Sequence, residues 1–74
     1  MATLGQRIKE LRKKNSLTQK DVSSLLGFKS TRAIQYVEAD ERGMDYRDLI
    51  KLADHFHVSI DYLVGRTDNP QLHE

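Results

Sequence analysis

Seventy-four residues with no cysteine allow one domain with a thin core, and they exclude disulfides or a cysteine–zinc site as its support. No apolar run approaches the roughly 18 residues of a membrane span, and Met1-Ala2-Thr3-Leu4-Gly5 lacks a secretory pattern, so a cytoplasmic protein is expected. The net charge of +1 hides a division: residues 1–35 carry eight Lys and Arg against Glu10 and Asp21, whereas residues 36–74 carry four against nine acids. A basic half of this kind fits a polyanion, or is a solvated face.

The elements read in chain order as all-α, without repeat, low-complexity segment or strand alternation. Thr3-Leu4-Gly5-Gln6 has the form of a capping box, and Leu4, Ile8 and Leu11 make one stripe of a first helix over about 4–15. A second helix over about 19–26 is capped by Thr18, turns Val22 and Leu26 inward and stops at Gly27. A third starts after Ser30, read as its cap, and runs to about Ala39 with Ile34 and Val37 inward. The fourth follows Asp45, with Leu49, Leu52, Ala53 and Phe56 as its buried stripe. The fifth is short, capped by Ser59, with Leu63 inside and Gly65 closing it. The predicted organisation is a domain over 1–66 and a polar C-terminal tail over 67–74.

Two short helices joined by a few residues including a glycine are the mark of a helix-turn-helix pair, although ordinary helical hairpins share that spacing. Further residues sharpen the reading. Leu17-Thr18-Gln19-Lys20-Asp21-Val22, Leu26-Gly27, Ile34, Glu38, Asp48-Leu49-Ile50-Lys51-Leu52-Ala53 and Val58-Ser59-Ile60-Asp61-Tyr62-Leu63-Val64-Gly65 fall in that order over residues 4–66. Together they resemble the phage-repressor, Cro-like (xenobiotic-response-element) helix-turn-helix family.

The resemblance implies a compact five-helix bundle of the lambda-repressor-like type, with helix 3 in the major groove and helix 2 across the backbone. It makes Thr31, Arg32, Gln35 and Tyr36 the candidates for base reading. Arg32 suits a guanine edge, Thr31 a thymine, and Tyr36 a phosphate or sugar, with Gln35 further round the helix. Gln19 becomes a backbone and organising contact, joined by Thr18, Lys29, Lys13 and Arg42. Arg12 and Glu38 are implied as a structural ion pair between helices 1 and 3. The implied function is a sequence-specific, double-stranded DNA-binding transcriptional regulator, a repressor, working as a homodimer on an inverted-repeat operator. Ile60, Val64 and Leu72 are candidates for the dimer contact or for completing the core. Two alternatives stay open: an antitoxin or restriction-modification controller acting partly through a protein, and a protein-interaction module with the same fold.

The sequence departs from the family pattern in four places. Ile34 lies seven residues after Gly27 rather than six, which predicts a turn one residue longer through Phe28-Lys29-Ser30. Val37 replaces a larger residue. Ser23 stands where alanine is common, and its hydroxyl is expected to bond back to helix carbonyls. The loop Asp40-Glu41-Arg42-Gly43 is acidic, leaving Arg42 and Arg47 as its cations and predicting weaker or more selective DNA binding.

Other chemistry is not supported by the spacing. His55 and His57 stand two apart on a helix and do not face each other, so no metal is expected. The serines lie on caps, no nucleophile–base–orienter set can be assembled, and neither enzyme activity nor a cofactor is expected.

Overall fold

The computed structural model describes residues 2–71. Five helices follow one another: α1 (Leu4–Lys14), α2 (Gln19–Leu25), α3 (Arg32–Glu38), α4 (Tyr46–Phe56) and α5 (Ile60–Leu63). No strand occurs among the described residues, and no helix there is long and apolar enough to cross a membrane. The α1 helix packs on α3 and α5, α2 packs on α3, and α4 packs on α5.

One apolar stripe from each helix makes the core. Ile8, Val22, Ile34, Leu52 and Leu63 are fully enclosed, surrounded by Leu11, Leu26, Val37, Ala53, Val58 and Tyr62. Phe28 and Met44 close it from the loops, alongside half-buried Leu4, Leu17, Leu49 and Phe56.

Helix starts follow local chemistry. Thr3 and Thr18 each accept from the backbone N–H three residues on, while the side chains of Gln6 and Asp21 reach back to the cap N–H, closing two capping boxes. Asp45 and Ser59 cap α4 and α5 through single side-chain bonds. The exception is α3. Its cap position is Thr31, with no side-chain cap bond, and Ser30 Oγ reaches only the Arg32 N–H at 3.4 Å. Helix 3 therefore begins one residue later than Ser30 predicts, and the Thr31 oxygen accepts from Gln35 Nε2 at 3.0 Å rather than from the backbone.

All five helices end in the same way. After each, one residue turns left-handed: Ser16, Gly27, Asp40, His57 and Gly65, with φ between 56° and 84°. In each case its N–H and that of the next residue bond back to the final turn, as in Phe28 N–H to the Ser23 carbonyl (2.8 Å) and Leu17 N–H to the Arg12 carbonyl (2.8 Å). Only two of the five are glycines, so three side chains sit in a conformation that a Cβ disfavours. Replacing exposed Ser16 or His57 by glycine is expected to raise stability by about 0.5–1 kcal/mol each, and the midpoint of urea unfolding measures it. Asp40→Gly is expected to do the reverse, because the Asp40 carboxylate is occupied: it accepts from the Gly5 N–H (3.2 Å) and the Thr3 hydroxyl (2.8 Å).

Asp40 thus ends α3 with its backbone and caps α1 with its side chain. A carboxylate at that N-terminus is favourable both as an acceptor and against the helix dipole. The two helices approach closely at Gly5, where any Cβ would collide with the Val37 carbonyl oxygen and lie 2.6 Å from Asp40 Oδ1.

Ser23 corrects the sequence reading. Its buried Oγ has no hydrogen-bond partner among the described residues, so the expected bond to a helix carbonyl is not made. Residues 67–70 of the expected tail are polar but fastened. Arg7 donates to Asp68 Oδ1 (2.6 Å) and to the Thr67 carbonyl (3.4 Å), and the Ser59 N–H donates to the Pro70 carbonyl (3.2 Å).

Candidate nucleic-acid interface

The interface is built on the α2–turn–α3 unit. Gly27 at φ 75° stops α2 and sends the chain into residues 28–31, a turn anchored by half-buried Phe28. Ile34 and Val37 then face the core, which fixes the opposite face of α3 outward. Arg32, Gln35 and Tyr36 occupy that face together, all exposed, with Tyr36 at 45%. Thr31 lies at its edge, half-buried, with its oxygen accepting from Gln35, so these two side chains hold one another rather than standing free.

What aims this face is a polar cluster beneath it. Arg12 of α1 grips Glu38 of α3 through two bonds, Nε to Oε2 at 2.7 Å and Nη2 to Oε1 at 3.0 Å, and its Nη1 donates to the Leu17 carbonyl at 3.1 Å. Gln19 of α2 donates from Nε2 to the same Glu38 Oε1 at 3.2 Å. The Glu38 side chain is only 5% exposed and that of Arg12 12%. The hydrogen bond to Glu38 raises the Arg12 pKa above its ordinary value, against the opposing effect of burial. Three helices are tied at one carboxylate, and Gln19 is drawn into that knot with one amide N–H and its carbonyl oxygen left over.

The remaining sequence candidates are dispersed. Lys13 is exposed on the last turn of α1, and Lys29 is exposed in the turn. Thr18 accepts from the Asp21 N–H at 3.0 Å as part of its cap, which leaves its O–H proton available. Arg42 is exposed and lines a cleft with Phe28, Met44 and Asp48. Arg47 pairs with Asp45 at 3.4 Å and lies over the Tyr46 ring. The acidity of the 40–43 loop is partly internal, since the Asp40 carboxylate caps α1.

A helix-turn-helix family model matches residues 8–63. This chain belongs to the helix-turn-helix family. Among curated relatives, the HTH-type transcriptional regulator ImmR of Bacillus subtilis (strain 168) is 38% identical over 66 residues, covering 89% of this chain and 51% of that protein. An uncharacterized HTH-type transcriptional regulator of the same organism, YobD, is 34% identical over 65 residues, covering 88% and 57%. The crystal structure of a transcriptional regulator from Listeria innocua matches with a TM-score of 0.82 at 33% identity, over 90% of this chain and 62% of that one. The chain therefore spans about half the length of the curated relatives it matches.

Two features of this helix-turn-helix chain escaped the sequence reading. Arg7, one of the eight cations of residues 1–35 that suggested a basic surface, is buried at 6% exposure, with its guanidinium 3.9 Å from the Tyr62 ring centroid. Tyr62 in turn donates to Glu10 Oε1 at 3.1 Å, and burial first, then this bond, push its phenol pKa up. The signal was present only as an arginine flanking Ile8 in a stripe that has to meet α5. The second is the Asp40 cap, which joins residues too far apart in sequence for any local pattern to reveal.

Asp21 gives the helix-turn-helix unit a pH signature. Its carboxylate accepts from the Thr18 N–H at 2.8 Å, and that bond, followed by the one with the Thr18 side chain, lowers its pKa. A carboxylate with a depressed folded pKa contributes stability that is full above its ordinary value near about 4 and lost as the pH falls through the folded value. Urea midpoints of the native chain and Asp21→Ala are therefore expected to differ at pH 7, and the difference is expected to shrink as the pH falls below the ordinary carboxylate value of about 4.

Proposed function

We propose that this chain is the DNA-reading domain of a cytoplasmic transcriptional regulator, acting as a repressor by laying α3 in the major groove of an operator. The observation that carries the reading is the exposed row Arg32, Gln35 and Tyr36 on a helix whose orientation is held by the Arg12–Glu38–Gln19 cluster. Lys13, Thr18, Lys29 and Arg42 would then supply backbone affinity. The relatives named as transcriptional regulators support the same reading.

One recognition helix reads only a few base pairs, so a homodimer on an inverted repeat is part of the proposal. The contact expected from sequence involves Ile60, Val64 and Leu72. Val64 is half-buried, Leu72 lies outside the described residues, and Ile60 stands 42% exposed beside Ile50 at 41%. These two isoleucines flank a cleft of about 330 Å³ between α4 and α5 and are the apolar face offered to a second copy.

Selection of sites from random duplexes tests the reading, and the Arg32→Ala variant measured across a panel of operator variants refines it. The expected loss is about 1–3 kcal/mol on the preferred site, with the preference at one base pair relaxed. Losses uniform over the panel would make Arg32 a phosphate contact. Absence of salt-dependent duplex binding would favour a protein-interaction role on the same fold.

A further inference from the structure

The chain leaves α5 and comes back along it. Gly65 turns it at φ 84°, where a Cβ would collide with the Ala2 carbonyl. Residues 66–70 then return to the cap of α5, where the Pro70 carbonyl accepts the Ser59 N–H at 3.2 Å. This strap is bent by its own side chains. Thr67 Oγ1 accepts from the Asn69 N–H and Asn69 Oδ1 from the Gln71 N–H, both at 3.1 Å. Midway it is gripped by Arg7, whose Nη2 donates to Asp68 Oδ1 at 2.6 Å and to the Thr67 carbonyl at 3.4 Å. The two ends of that grip differ. The Arg7 side chain is 8% exposed and lies on the Tyr62 ring, whereas that of Asp68 is 91% exposed. The second carboxylate contact of Arg7, with Glu10 Oε2, is longer at 3.8 Å. A buried cation is thus neutralised chiefly by a carboxylate that water and salt can reach.

Ser59 joins the strap to the cleft between α4 and α5. It lines that cleft with Ile50, Val58 and Ile60, its N–H holds Pro70, and its Oγ caps α5 by accepting the Tyr62 N–H at 3.0 Å. A helix of four residues does not hold itself in water, so the setting of Ile60 beside Ile50 depends on what ties the cap. We infer that residues 66–70 are a latch on α5: closed by Arg7, it holds the Ile50–Ile60 face in the form that a second copy meets, and its opening weakens association. A face that is already ordered loses less conformational freedom when it binds. The second copy rests on the dimer reading above; the latch itself does not. Arg7 and Asp68 are positioning residues in this device, acting on the face through Ser59.

Amide hydrogen exchange at Ser59 reports the latch, because its acceptor belongs to the strap. In the native chain this proton is expected to exchange slowly with solvent. Asp68→Ala alters an exposed side chain and should leave the fold intact while speeding Ser59 exchange by about tenfold, the scale of one lost charge-assisted bond. The Leu52 amide, inside α4, should keep its rate. Glu41→Ala, which removes an exposed acid elsewhere, should change neither. Raising NaCl from about 0.05 to about 0.5 M should speed Ser59 exchange in the native chain and leave it unaltered in Asp68→Ala. Exchange at the native rate in Asp68→Ala, or Ser59 and Leu52 accelerated by the same factor, overturns the latch.

The second arm measures self-association by sedimentation equilibrium. The dimer Kd is expected to rise by about threefold or more in Asp68→Ala and to stay unchanged in Glu41→Ala. Loss of a negative charge near a shared face would by itself favour association, so a weakening has the latch as its cause. Equal or tighter association in Asp68→Ala overturns the coupling between latch and face. A chain that stays monomeric at every concentration, or whose association is untouched by Ile60→Asp, refutes the dimer reading and the coupling with it, while Ser59 exchange still decides the latch.

Discussion

Glu38→Ala is expected to lose about 3–5 kcal/mol of folding stability, the range for stranding one partner of a buried ion pair. The removed carboxylate is held by Arg12 through two bonds and by Gln19 through a third, with its side chain 5% exposed. A domain of this length has only about 4–11 kcal/mol in total at 0.05–0.15 kcal/mol per residue, so the variant should be barely folded. Its thermal midpoint should drop by tens of degrees, at about 4–8 °C per kcal/mol. The companion variant Arg12→Met/Glu38→Met removes both charges and is expected to be more stable than either single change. A Glu38→Ala loss below about 1 kcal/mol would mean that the pair is solvated like a surface bridge.

Gly5→Ala is expected to destabilise by about 1–3 kcal/mol or more, the opposite sign from an ordinary helical glycine. In an unobstructed helix alanine gains about 0.5–1 kcal/mol over glycine. Here the new methyl would meet the Val37 carbonyl, Asp40 Oδ1 at 2.6 Å and the Glu38 carbonyl at 2.9 Å, two of the three being backbone that cannot swing aside. Withdrawal of α1 would stretch the Asp40 cap and the Arg12–Glu38 pair together. Gly43→Ala is the matched control, since a Cβ there meets nothing within 4 Å, and its effect should stay within about 0.5 kcal/mol. Urea midpoints of the two variants settle the comparison.

The sequence was most informative where structure is local. Thr3, Thr18, Asp45 and Ser59 could each be read as caps because a cap is a bond over two or three residues. The start of α3 is not legible because Ser30 and Thr31 are both cap types and the cap position, Thr31, makes no side-chain cap bond. The stops at Ser16, Asp40 and His57 carry no glycine to mark them, so the shared left-handed ending was invisible. Val58 and Tyr62 join the core through the packing of α4 on α5, which no stripe within one helix announces. For the candidate interface, the family resemblance supplied the positions, and the fold supplies how they sit. Arg32, Gln35 and Tyr36 share one open face, whereas Thr31 is half-buried against Gln35 and Gln19 is bonded inward to Glu38.

The Asp40 cap also bears on how the molecule comes into being. A ribosome delivers Thr3 and Gly5 long before Asp40, so α1 emerges with its first turn lacking the carboxylate that completes it. Eleven residues are too few for a stable helix in water by themselves. Residues 4–14 are therefore expected to remain largely unstructured on the nascent chain until α3 has emerged. At that moment Asp40, Glu38 and the Gly5 crossing engage together, and α1 and α3 form as one cooperative event. Vectorial synthesis would thus hold back α3 and its support until both are present, leaving no interval in which α3 is displayed without the frame that orients it.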